Sequence, residues 1–146
     1  MKATKVYLDS SVLNRPFDDQ TFSKIRLETE AIFLIFKSIE QKKLKMISSS
    51  VIEYENSRNP FPERRGWISS YLKKAGMYQK MDAIIQKRAE KINANGIDPL
   101  DALHLSTAEI AKADIFITCD EKILKKYKGK LKTYNPIDFV QSWSIK

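Results

Sequence analysis

With 146 residues, 42% of them hydrophobic and 30% charged, the chain is long enough to bury one core and short for two, so a single domain over 1–146 is expected. One cysteine, Cys119, excludes an internal disulfide framework and a cysteine-based zinc site, and fits a reducing, cytoplasmic setting. The net charge of +8 suits a polyanionic partner, while the longest apolar run, "AIFLIF", is far below bilayer length, so neither export nor membrane insertion is expected.

"KVYL" reads as a first strand, rich in β-formers. A loop, "NRPFDDQ", leads into a helix from about Thr21 to Gln41, where Ile25, Ala31, Ile32, Leu34, Ile35 and Ile39 recur at helical spacing. "LKMIS" is a second strand, and Ser49 or Ser50 caps a helix in "VIEYENSR". The turn-rich "NPFPERRG" precedes helical stretches near "WISSYLKKAG" and "MDAIIQKRAEKINANG", the latter stopping at Gly96. "IDPLDALHLSTAEIAKA" is a further helix with Asp98 as its N-cap and Pro99 at its first position. A strand "DIFIT", a short helix in "EKILKKY", a strand "LKTY" and a helix from near Pro136 complete the order. Strands that alternate with helices imply a parallel sheet covered on both faces, because parallel neighbours need crossover connections.

In such sheets ligands gather outside the C-terminal ends of the strands. Asp9 follows "VYL", Asp120 follows "IFIT", Glu53 and Glu55 lie just past "MIS", and Asp101 sits in the first turn of its helix. Carboxylates gathered at one edge repel one another unless a cation neutralises them, so the set predicts a metal. Oxygen ligands without His or Cys select Mg²⁺ or Mn²⁺. An acidic metal pocket within a basic chain is what phosphodiester hydrolysis requires. Each acid also fits a plainer role: Asp9, Ser10 and Ser11 in a turn, Asp98 and Asp120 as helix caps, Glu53 and Glu55 as solvated helix residues. His104, the sole histidine, reads as a packed helix residue, and Cys119 as a strand-end residue and not a nucleophile. No GxxxxGK or GxGxxG occurs, and no nucleophile elbow surrounds a serine.

Together "VYLDSSVL", "SSVIEYE", "DPLDALHLSTAEIAKADIFITCDEKILKK" and "YNPIDFV" resemble the PIN-domain nucleases, especially the bacterial VapC-like toxin ribonucleases. The resemblance implies a three-layer α/β/α fold with a central, mostly parallel five-stranded sheet and an endoribonuclease that leaves 5′-phosphate ends. It also implies metal-binding acids at Asp9, Glu53, Asp101 and Asp120, supported by Ser10, Ser11 and Thr118. Glu53 is favoured over Glu55 because Ile52 and Tyr54 flank it. Asn14 and Arg15 are candidate substrate contacts, and Arg58, Arg64 and Arg65 a candidate substrate or partner surface. A small antitoxin partner and a homodimer are further implications. The alternatives are a metal-dependent phosphohydrolase of another α/β type, which usually carries an Asp-x-Asp pair absent here, and a non-catalytic RNA- or partner-binding module.

Overall fold

The computed structural model describes residues 3–144. Chain order is β1 (Thr4–Leu8), α1 (Ser10–Asn14), a 3₁₀ turn (Arg15–Phe17), α2 (Ser23–Glu40), β2 (Leu44–Ser49), α3 (Ser50–Ser57), α4 (Pro62–Leu72) and β3 (Met77–Gln79). There follow α5 (Ala83–Ala94), α6 (Pro99–Ile110), β4 (Ile115–Ile117), α7 (Glu121–Lys126), β5 (Lys132–Tyr134) and α8 (Pro136–Ser144). The five strands form one sheet in the order β3-β2-β1-β4-β5, and every pairing is parallel, so "mostly parallel" becomes wholly parallel.

β1 lies at the centre because Val6, Tyr7 and Leu8 are all buried, and only an interior strand covered on both faces can hide three consecutive side chains. Tyr7 pairs in register with Ile47 of β2 and Phe116 of β4, and its ring stacks on Phe116 at 5.4 Å between centroids. The chain runs β1 to β2 to β3 toward one edge, then returns past β1 to β4 and β5. Right-handed crossovers therefore place the helices of the two halves on opposite faces. In keeping with this, α2 packs on β2 while α5 packs on α6; α8, which follows the last strand and is no crossover, returns to pack on α2.

Local signals set the helix ends. Ser49 caps α3 by accepting the Ile52 N–H at 3.1 Å, and Asp82 caps α5 by accepting that of Ile85 at 2.8 Å. Gly96, at φ +93°, follows the last residues of α5, where a side chain would be strained. Asp98 stands at the N-cap position of α6 as expected, but its carboxylate makes no cap bond and instead meets Lys122 Nζ at 3.2 Å. The "NRPFDDQ" segment is not a simple loop: the end of α1 and the 3₁₀ turn occupy its first four residues. The five-stranded sheet that the resemblance implies is present, and its fifth strand is β3, which falls where no strand is read from the sequence: a three-residue edge strand with one partner. Among the described residues no helix is long and apolar enough to cross a membrane.

Candidate active site

All five strands point the same way, so their C-terminal ends share one edge. There the strand order reverses about β1, and the loops after β1 and β4 diverge to leave a crevice. Asp9, Ser10, Ser11, Asn14, Glu55, Asp101, His104 and Asp120 line a cavity of about 280 Å³ at this place. Two larger hollows lie elsewhere. One runs along the opposite edge of the sheet between Lys5, Lys42, Lys45 and Lys74; the other lies beside Glu53, Arg65 and Tyr78. Neither gathers acids as this one does.

Asp9 extends the ladder one residue past β1, since its N–H donates to Ile117 O at 3.3 Å. Its side chain then turns back to cap α1 by accepting the Val12 N–H at 3.2 Å. Ser11 Oγ donates to Asp9 Oδ1 at 2.5 Å and Thr118 Oγ1 to Oδ2 at 2.6 Å. Both hydroxyls in turn accept a backbone N–H, of Cys119 at 2.9 Å and of Asp120 at 3.0 Å respectively. The loop after β4 is thus laced to the end of β1 through one carboxylate. Burial pushes the Asp9 carboxyl above its ordinary value, and the hydrogen bonds from Ser11, Thr118 and Val12 only partly offset this.

Asp101 enters from the first turn of α6, and Asp120 from the cap of α7, where its Oδ1 accepts the Lys122 N–H at 2.8 Å. Burial, and then the neighbouring Asp9 and Asp120 charges, raise the Asp101 carboxyl from 3.8 to about 6. Burial is the larger cause, and the charges of Asp9 and Asp120 add to it.

The α3 glutamate that lines this cavity is Glu55; Glu53, the one favoured from the sequence, does not. Glu55 lines the cavity, and its Oε1 accepts from Ser10 Oγ at 2.5 Å and from His104 Nε2 at 2.6 Å. Burial raises its carboxyl, but the His104 and Ser10 bonds outweigh that and hold it below the usual range. Glu53 is exposed and accepts from Tyr78 Oη at 2.6 Å, on another flank of α3. The cause is helical phase. Successive helix residues point about 100° apart, so apolar neighbours at 52 and 54 say little about residue 53. Val51, Ile52 and Asn56 are buried, and Glu55 falls within their arc.

His104 is packed, at 1% exposure, yet it also lines the cavity and touches Glu55, a role its apolar surroundings did not suggest. Asn14 lines the cavity, but its amide donates to Ser10 O at 2.9 Å and accepts from Asn59 Nδ2 at 3.0 Å. Arg15 turns away from the cavity: its Nε lies 3.1 Å from Glu28 and its Nη1 donates to Asp18 at 3.0 Å. Arg64 is likewise engaged with Asp18 and Phe17 O, and Arg65 with Asn59 O. Arg58 lies over the exposed ring of Tyr54 at 5.8 Å, and Arg64 over that of Phe61 at 4.6 Å. Burial pushes the Cys119 thiol up to about 12, so it is no nucleophile at neutral pH.

Among the described residues no three acids, histidines or cysteines close into a ready-made metal cage. The donors are all hard oxygens lining an open cavity, which fits Mg²⁺ or Mn²⁺, ions bound through a few carboxylates while keeping several waters. Zinc sites usually draw on His or Cys ligands, and here the one histidine is turned to Glu55.

The PIN domain pattern matches residues 6–130 of the chain. The chain belongs to the PIN domain family. Comparison with curated proteins finds no match. Solved structures of similar fold include VapBC2 from Rickettsia felis bound to a DNA fragment from its promoter, at 16% identity and TM-score 0.57, covering 90% of this PIN chain and 98% of that one. FitAcB from Neisseria gonorrhoeae aligns at 15% identity and TM-score 0.59, covering 90% and 97%. PAE2754 from Pyrobaculum aerophilum aligns at 14% identity and TM-score 0.57, covering 99% of both chains. At these identities the likeness is one of PIN architecture.

Proposed function

We propose that this PIN domain is a metal-dependent endoribonuclease, the toxin of a toxin-antitoxin pair acting in the cytoplasm. The observation that carries the reading is the meeting of Asp9, Glu55, Asp101 and Asp120 in one cavity, with the Asp101 carboxyl raised to about 6. Asp9, Asp101 and Asp120 would hold Mg²⁺ or Mn²⁺ together with Glu55. The ion would supply Lewis-acid activation of water and stabilisation of charge on the phosphoryl oxygens.

The chain's own residues do the positioning. Ser11 and Thr118 fix both oxygens of Asp9, Ser10 and His104 fix one oxygen of Glu55, and the α7 cap fixes one oxygen of Asp120. Ground-state repulsion among these carboxylates is built in by the fold and is relieved by a cation. Water attacks phosphorus in line, the P–O3′ bond breaks, and the products carry a 5′-phosphate. The net charge of +8 supports a polyanionic substrate. So does the surface where α3 meets α4, tied to the cavity rim by Asn59 and Asn14, which presents Tyr54 of α3 under Arg58 and Phe61 under Arg64 of α4. Exposed rings with guanidinium partners are stacking surfaces for unpaired bases.

An antitoxin and a second copy of the chain are the protein partners in this reading. Half-exposed Leu27, Phe33 and Leu34 on α2 support it, since apolar surface of this kind is commonly covered by another chain.

The direct test is end-labelled single-stranded RNA incubated with Mg²⁺, with Mn²⁺ or with EDTA. Cleavage with either ion, none with EDTA, and ligatable 5′-phosphate ends are expected. RNA bound without ion-dependent cleavage would replace the nuclease by a binding module. In the same assay Glu55→Gln is expected to lower kcat by about a hundredfold, whereas Glu53→Gln stays within about twofold of the parent. The reverse ranking would restore Glu53 as the fourth acid.

A further inference from the structure

The bond from His104 to Glu55 does not end at the histidine. His104 Nδ1 lies 2.8 Å from Tyr7 Oη, which lies 2.9 Å from Ser49 Oγ, which accepts the Ile52 N–H at 3.1 Å. Tyr7 is wholly buried at the centre of β1, Ser49 wholly buried at the end of β2, and His104 is 1% exposed on α6. A polar chain this deep persists only when every group finds a partner.

Donor and acceptor capacity then fixes its direction. Ser49 Oγ is committed as acceptor to the backbone N–H of Ile52, so its own proton goes to Tyr7 Oη, its only other polar neighbour among the described residues. The phenolic proton of Tyr7 is thereby turned to His104 Nδ1, 2.8 Å away. An Nδ1 that accepts leaves the ring proton on Nε2, the nitrogen facing Glu55 Oε1. With Ser10 Oγ as second donor to that oxygen, Oε1 is saturated and Oε2 is the oxygen left for a cation.

From this we infer that Tyr7 is a positioning residue for Glu55: acting through His104, it sets the ring tautomer that holds the carboxylate with one oxygen presented to the cavity. The inference rests on the metal-nuclease reading of the site and adds to it a control running from the N-cap of α3 through the middle of the sheet. Outer partners that orient a ligand commonly change metal affinity by about 10- to 100-fold when removed.

The test uses Mn²⁺ alone as probe, titrated into the full chain and followed by the loss of its free-ion EPR signal, beside kcat and KM for RNA cleavage. Tyr7→Phe keeps the ring stacked on Phe116 and removes one oxygen; His104→Leu removes both bonds; His104→Gln restores a donor near the Nε2 position. Expected are Mn²⁺ affinities lowered by about tenfold in Tyr7→Phe and His104→Leu, with kcat lowered and KM unchanged, and a return toward parent values in His104→Gln. Should His104→Leu fail to fold, Tyr7→Phe and His104→Gln still carry the comparison. Parent-like Mn²⁺ affinity and kcat in Tyr7→Phe, with only a lower melting temperature, would overturn the inference. Asp101→Asn serves as control: if it binds Mn²⁺ like the parent, the metal reading itself fails. If it loses Mn²⁺ while Tyr7→Phe and His104→Leu keep it, only the positioning role fails.

Discussion

Asp101→Asn is expected to abolish ion-dependent RNA cleavage and, in EDTA at neutral pH, to raise the melting temperature. The two effects have one origin. The Asp101 carboxyl ordinarily titrates at 3.8 and is raised to about 6 by burial and by the Asp9 and Asp120 charges. A group that binds its proton more tightly in the folded state stabilises the fold at low pH, and that contribution is lost as pH rises from about 4 through about 6. At pH 7 the ionised Asp101 is therefore a standing cost, which the isosteric amide removes. The stability gain of Asp101→Asn should be present at pH 7 and fade toward pH 4. Mg²⁺ should raise the melting temperature of the parent at pH 7, do so less at pH 5, and leave the variant nearly unmoved. If Asp101 holds the ion as proposed, its loss is expected to cost at least about a hundredfold in kcat. Unchanged cleavage, or a melting temperature that falls at pH 7 in EDTA, would contradict the assignment.

Arg15→Ala is expected to destabilise the fold strongly and to leave KM for RNA unchanged. Glu28 is fully buried, and its carboxylate meets only Arg15 Nε at 3.1 Å and Asn135 Nδ2 at 2.5 Å among the described residues. The Arg15–Glu28 contact is close but poorly aligned, an ion pair more than a hydrogen bond, since neither atom gains a directed partner. Removing one member of a buried pair strands the other charge, at a cost of roughly 3–5 kcal/mol. Because the Arg15 side chain keeps 21% exposure, water can partly replace it, so the lower end, about 3 kcal/mol, is the expected loss. For a domain of this size that corresponds to a fall of roughly 6–12 °C in melting temperature. Adding Glu28→Gln to Arg15→Ala should recover a good part of it, the coupling expected of a contacting pair. Were Arg15 a substrate contact, Arg15→Ala would instead raise KM with little change in melting temperature.

The sheet is legible in the sequence because its inner strands are short, apolar and β-branched or aromatic, and because Gly96, Pro99 and Ser49 punctuate the helices between them. β3 is not, since "MYQ" is three residues at an edge and its pairing with β2 is a tertiary matter. Three acids could be placed at the site from their positions alone: Asp9 and Asp120 follow strands, and Asp101 opens a helix. The fourth needed the phase of α3, which Val51, Ile52 and Asn56 carry and the flanks of Glu53 do not. Arg15 read as a loop cation because nothing in "NRPF" announces a buried glutamate on the next helix. The approach of Tyr7 to His104, 97 residues away, has no local signature; a lone histidine on an apolar helix face reads the same whether or not a tyrosine lies beneath it.

The cavity acids come from four separate stretches, at residues 9, 55, 101 and 120. The bonds that brace them, Thr118 to Asp9 and His104 to Glu55, each close a loop of 109 and 49 residues respectively. Closures of that length come late in folding, after local helices are formed. A fragment ending before Asp120, or a chain in which β4 has not yet docked beside β1, holds some of the acids but not their geometry. On the proposed reading, cleavage of RNA would thus report complete closure of the sheet, and nascent or clipped chains would be inert.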